Sequence, residues 1–171
     1  MLWVTESRRK GLTTVTQEVC LQFNFQKSTV VVTKDGDDTQ RKEYLSQTTR
    51  VMRESKKAKK NPLFLDVNFE SEKDTRSFTF HSSDDRDRFV QLVKAMKDGT
   101  GEVYRLFLKC NSRSSAATGY LEVDRIKEAL EGGEFAHVFD SVSGELDFED
   151  FFLLLANARR NLGKNGGGGG R

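Results

Sequence analysis

One proline, one tryptophan, two cysteines and two histidines in 171 residues put several kinds of protein out of reach. With Pro62 as the single proline there is no proline-rich linker and no extended proline-rich ligand segment. Cys20 and Cys110 lie far apart without metal-ligand spacing, which excludes a disulfide scaffold and a zinc module. They read as reduced, buried thiols of a cytosolic protein. His81 and His137 have no recognisable nucleophile beside them, so nothing points to catalysis. No apolar run approaches the roughly 18 residues that a spanning helix needs. The first residues, MLWVTESRRKGL, lack the apolar stretch of a signal peptide and have no glycine at position 2 for a myristoyl group. The expected location is therefore cytoplasmic, peripheral at a membrane at most. The glycine run near the C-terminus follows no strand and is no phosphate loop.

What the chain does have is charge, unevenly placed. Residues 1–60 carry 13 Lys/Arg against 7 Asp/Glu, whereas residues 101–160 carry 7 against 11. A basic first part joined to an acidic last part points to two modules with different partners.

The apolar pattern divides at the same place. TTVTQEVCLQFNF puts Val19, Leu21, Phe23 and Phe25 on one face by alternation, the period of a half-buried strand. STVVVTKDGDD reads as a valine-rich strand ending in a hairpin turn at Gly36. A more polar third strand spans Arg41 to Arg53, and a basic loop, ESKKAKKNP, follows it. Leu63–Phe69 and Arg76–Phe80 make a hairpin, and the helix Asp84–Asp98 closes the region. Ser82 or Ser83 can cap that helix, and Phe89, Leu92, Val93 and Met96 form its apolar face. Beyond Gly99 the spacing turns helical. Val103, Leu106, Phe107 and Cys110 share a face, as do Ile126, Ala129 and Leu130, then Phe135, Val138 and Phe139, then Phe148, Phe151, Phe152 and Leu155.

Strand after strand followed by one closing helix resembles a pleckstrin-homology domain over residues 13–98. Phe89 stands where that family often carries a tryptophan packed into the barrel mouth. Residues 101–156 resemble a pair of EF-hands: TGYLEVDRIKEAL and FDSVSGELDFEDFFLLL set Gly119 and Leu121, then Gly144, Leu146 and Asp150, at the turn, strand and closing positions. The two together are similar to the N-terminal part of phosphoinositide-specific phospholipase C. That family continues into a catalytic barrel and a C2 domain, and nothing in these residues resembles its catalytic histidines.

The expected class is therefore α+β: a small antiparallel barrel or sandwich with its closing helix (residues 1–99), an EF-hand-like all-α pair (100–160), and a glycine-rich tail (161–171). The short connection through Gly99 and Gly101 predicts rigid docking of the two modules.

In a calcium loop, spaced oxygens surround the ion and a bidentate carboxylate closes the site. Here the first loop would place Ser114, Ala116 and Thr118 at ligand positions and Arg125 at the last, a cation where the ion needs an anion. The second retains Asp140, Asp147 and Asp150 but runs one residue short before Gly144 and puts Val142 at an oxygen position. No cofactor and no bound metal are expected, with a calcium switch through the second loop as an alternative.

Two cation clusters are candidates for an anionic surface. They are Arg8, Arg9 and Lys10, and Lys56, Lys57, Lys59 and Lys60. Pleckstrin-homology domains that recognise phosphoinositide headgroups carry basic residues on the second strand as well. TTVTQEVCLQF has none, so diffuse attraction is implied rather than headgroup recognition. No aromatic platform alternates with the cations, which argues against nucleic acid. The chain reads as a non-catalytic adaptor or targeting module for a protein partner or an anionic, phosphoinositide-containing membrane. A regulatory front end of a phospholipase C-like enzyme is the alternative.

Overall fold

The computed structural model describes residues 1–52, 56–70, 75–98 and 102–165. The chain divides into two compact units, Met1–Lys97 and Asp98–Arg171.

Among the described residues the first unit contains seven strands: β1 (Leu2–Lys10), β2 (Thr13–Asn24), β3 (Thr29–Lys34), β4 (Asp37–Leu45), β5 (Arg50–Met52), β6 (Phe64–Asn68) and β7 (Thr75–Phe80). Its helices are α1 (Lys56–Lys60) and α2 (Ser83–Asp98). All strand pairs are antiparallel, in the order β4-β3-β2-β1-β7-β6-β5. Alternation sends Leu2, Val4, Val19, Leu21, Val30 and Val32 to one face, where they share a core with Leu65, Val67, Phe78 and Phe80.

The sheet curls over this core without closing. Tyr44 of β4 stacks on Phe69, just past β6, with ring centroids 4.2 Å apart. Yet β4 and β5 remain the two edges, so the expected barrel is corrected to an open, folded-over sheet. β5 is three residues long, and β4 presents exposed Gln40, Arg41, Lys42 and Glu43, the charged dressing that keeps an edge from pairing.

α2 lies on the core as its spacing predicts. The Asp85 amide donates to Ser82 Oγ at 3.1 Å, which makes Ser82 the cap. Phe89 is fully buried, 5.8 Å from the ring of Phe23 and 5.5 Å from that of Phe80.

Three further differences from the sequence reading have physical causes. β1 is a full strand that the apolar pattern does not announce, because Glu6 and Arg8 occupy its inward positions. The expected strand from Arg41 to Arg53 is broken at Ser46–Thr49, where the Ser46 amide donates to the Ser28 carbonyl at 2.9 Å and the Thr49 amide to the Ser46 carbonyl at 3.2 Å. The basic loop is partly helical, as α1.

The second unit contains α3 (Glu102–Cys110), α4 (Arg113–Thr118), β8 (Tyr120–Glu122), α5 (Val123–Leu130), β9 (Glu145–Asp147) and α6 (Phe148–Asn165). Phe107, Phe139, Phe151 and Phe152 form its buried aromatic centre, with ring centroids 5.1 to 6.0 Å apart. The unit is not all-α, since β8 and β9 pair and set Leu121 opposite Leu146. Nor is 135–139 an α-helix. Amides there donate three residues back, Val138 to Phe135 and Val142 to Phe139, so the segment is a chain of tight turns. The glycine connection at 99–101 lies outside the described residues.

Candidate anionic-surface site

Register sets the geometry of the first cation cluster. β3 ends with Lys34 opposite Val19, and β7 follows β1 only as far as Ser7 opposite Ser77. Beyond those points Arg8 pairs with Val15, Arg9 with Thr14 and Lys10 with Thr13. Among the described residues, 8–10 and 13–15 therefore ladder only to each other, as a two-stranded ribbon projecting from the sheet. Gly11 and Leu12 make its turn. Gly11 has φ 63, the left-handed conformation that a two-residue hairpin of this type takes at its first position.

The ribbon is charged along its sides and apolar at its tip. Arg8, Arg9 and Lys10 are exposed, Leu12 is 99% exposed and Val15 48%. By alternation Arg8 and Lys10 face the side of the core and Arg9 the opposite side.

Beneath the ribbon lies a buried carboxylate. Glu6 is 0% exposed; its Oε1 accepts from Arg76 Nε at 2.5 Å and its Oε2 from Arg76 Nη2 at 2.9 Å and Gln17 Nε2 at 2.6 Å. Arg8 Nε stands 3.1 Å from Oε1. Burial raises the Glu6 pKa, but the bonds from Arg76 and Gln17 and the two positive charges outweigh it, and the carboxyl sits below its ordinary range. Arg76 also donates to the Tyr44 hydroxyl at 3.4 Å. Arg8 is thus tied to Glu6 through its guanidinium, whereas Arg9 and Lys10 have no such tie among the described bonds.

The second cluster occupies the other end of the sheet. α1 leads through Pro62 to Phe64, which pairs with Thr79, itself opposite Thr5. From Thr5 to Lys10 the strand runs about 17 Å the other way. Lys56, Lys57, Lys59 and Lys60 are exposed, and Lys57 Nζ lies 5.9 Å from the centroid of the Phe64 ring. The seven cations therefore fall in two separate clusters.

A third basic region, with Lys34 and Arg41, lines a cavity of about 550 Å³ together with Trp3, Cys20 and Thr33, but Asp35 and Asp38 line it too, so its charge is mixed.

The acidic loop residues are otherwise engaged. Asp140 Oδ2 lies 2.9 Å from His137 Nδ1, and Asp147 Oδ1 accepts the Asp150 amide at 2.7 Å, capping α6. Arg125 pairs with Glu122 at 3.3 Å. Among the described residues no group of three or more His, Cys, Asp or Glu is placed to hold a metal ion. His81 Nε2 lies 3.3 Å from Glu18 on the surface. Cys20 and Cys110 are free and buried; burial raises both thiols, Cys110 to about 11. No helix among the described residues is long and apolar enough to cross a membrane.

Leu12 and Val15 were not singled out by sequence reasoning. The available signal was an apolar residue in a two-residue turn, where small and polar residues dominate.

No family model and no curated protein matches the chain. Among solved structures it is similar to inner membrane complex sub-compartment protein 3 of Toxoplasma gondii, at 16% identity over 58% of this chain and 76% of that one, TM-score 0.42. It is also similar to PLC21 of S. officinalis, at 10% identity over 95% of this chain, TM-score 0.39, and spans 27% of that chain's length.

Proposed function

We propose that the chain is a non-catalytic targeting module whose β1–β2 ribbon meets an anionic membrane surface. One observation carries this reading: a leucine 99% exposed at the tip of a projecting hairpin, with three cations on the strand that leads into it. Near a charged leaflet each basic residue contributes about 1 kcal/mol. Burying the Leu12 side chain adds roughly 1.5–3 kcal/mol. Arg8, Arg9, Lys10 and Leu12 together amount to about 5 kcal/mol, a sub-millimolar attachment that forms and releases readily. The α1 lysines, at the far end of the sheet, are a separate charged surface.

In this reading the first unit is a pleckstrin-homology-like fold and the second a degenerate EF-hand-like pair. The β8–β9 pairing, with left-handed glycines at Gly119 (φ 78) and Gly144 (φ 81), supports the second assignment. Its loops serve as structure and as a surface for a protein partner rather than as calcium ligands, since Asp147 is spent as a helix cap and Asp140 lies against His137. That order of modules also suits the front of a phospholipase C-like enzyme, where the ribbon would have the same task.

Vesicle co-sedimentation tests the reading. The chain is expected to bind phosphatidylserine-containing vesicles, more weakly as salt rises, and not pure phosphatidylcholine. Leu12→Ser is expected to weaken binding roughly 10- to 150-fold without moving the melting temperature. Equal binding to neutral and anionic vesicles, or binding to neither, would sink it.

A further inference from the structure

We propose that Thr13 is a phosphoacceptor whose modification releases the ribbon from an anionic surface; this regulation rests on the membrane reading above. Thr13 is exposed, opens β2 and faces Lys10 across the ladder. Lys10, Arg9 and Arg8 precede it by three, four and five residues. Cations spaced in this way fit a protein kinase whose substrate groove is acidic. The neighbouring hydroxyls lack that spacing, since Gly11 lies three residues before Thr14 and Thr13 three before Thr16.

The acceptor is also accessible. Its Oγ1 donates to the Lys10 carbonyl at 3.0 Å, an exposed local bond. Residues 8–10 and 13–15 ladder only to each other among the described residues, so they can open without unfolding the sheet behind them. An opened ribbon presents Thr13 in extended chain.

In the transfer, Thr13 Oγ1 bonds to the γ-phosphorus of a nucleoside triphosphate supplied with the kinase. The bond from that phosphorus to the bridging oxygen breaks, the nucleoside diphosphate leaves with the electron pair, and the hydroxyl proton passes to the kinase's base. The product carries about −1.5 to −2 at neutral pH. It stands directly opposite Lys10 and on the diagonal from Arg8, within about 8 Å of either side chain's origin. Most of the ribbon's positive charge is then cancelled, and a dianion sits beside the leucine that must enter the lipid.

The experiment uses the full chain, Mg-ATP and a serine/threonine kinase that selects a basic residue three positions before its target. Peptide mass analysis is expected to find phosphate at Thr13, absent from Thr13→Val and kept in Thr13→Ser. Phosphorylated protein is expected to bind phosphatidylserine vesicles about 30-fold more weakly than unmodified protein, and Thr13→Glu to weaken binding by a smaller factor. Phosphate at Thr13 with unchanged vesicle binding overturns the switch alone. Phosphate elsewhere and none at Thr13 overturns the acceptor assignment. Unmodified protein that binds no anionic vesicle overturns the membrane reading and the switch with it.

Discussion

Phe89→Ala is expected to destabilise the Met1–Lys97 unit by about 3–5 kcal/mol, the range for deleting a buried aromatic side chain. The ring is fully buried and lies against Phe23 and Phe80, so its removal opens a cavity between α2 and the sheet. For a domain of this size each kcal/mol moves the melting temperature by about 4–8 °C, so a fall of at least about 12 °C is expected. Lys94→Ala, on the exposed side of the same helix, is expected to stay within about 0.5 kcal/mol of the parent. Thermal and urea unfolding followed by circular dichroism read both. A loss under about 1 kcal/mol for Phe89→Ala would show that the helix does not close the core.

That helix was legible because everything needed to recognise it is local. The cap Ser82, the acids Asp84 and Asp85 in the first turn, and the spacing of Phe89, Leu92, Val93 and Met96 lie within fifteen residues of one another. β2 and β3 were legible for the same reason: Val19, Leu21 and Phe23 alternate along β2, and Val30, Val31 and Val32 form a continuous apolar run in β3. β1 was not, because its inward row reads Leu2, Val4, Glu6, Arg8. Glu6 is buried only because Arg76, seventy positions later, comes to meet it. A charge in an inward position breaks the apolar period, and its partner is invisible until the sheet forms. The opposite failure occurs at Phe135, Val138 and Phe139. Their spacing satisfies a helix, yet Gly132 and Gly133 precede them and each bond spans one residue fewer.

The candidate site divides in the same way. Its cations were evident as runs in the sequence, but their grouping was not, because no local signal tells which end of a sheet a loop occupies. The ladder decides it. Phe64 opposite Thr79, and Thr79 opposite Thr5, send α1 away from the ribbon. The length of the ribbon is likewise a property of its neighbours. Arg8 to Lys10 project because β3 and β7 stop short, not because of anything within RRKGLTT.

The buried pair at the base of the ribbon is expected to produce the other large effect. Arg76→Met leaves Glu6, which is 0% exposed, with only Gln17 and the half-exposed Arg8 as partners, at a loss of about 3–5 kcal/mol. Glu6→Leu removes the carboxylate from beside the Arg76 guanidinium, 9% exposed, leaving it the Tyr44 hydroxyl but no counter-charge there, and is expected to lose a similar amount. The double variant buries neither charge, so it should be more stable than either single one, with a coupling of at least about 1 kcal/mol between the two positions. Strictly additive losses would show that the pair is no unit. Acid supplies an independent test. Because the folded state holds the Glu6 carboxyl below its ordinary range, it binds that proton less readily than the unfolded chain. The resulting stabilisation is complete above the unfolded glutamate value of about 4.3 and disappears as the pH falls through the lower folded value. Urea midpoints measured downward from pH 5 should therefore drop more steeply in the parent than in the double variant. Parallel curves would mean that Glu6 titrates alike in both states, which is incompatible with the bonds it accepts from Arg76 and Gln17.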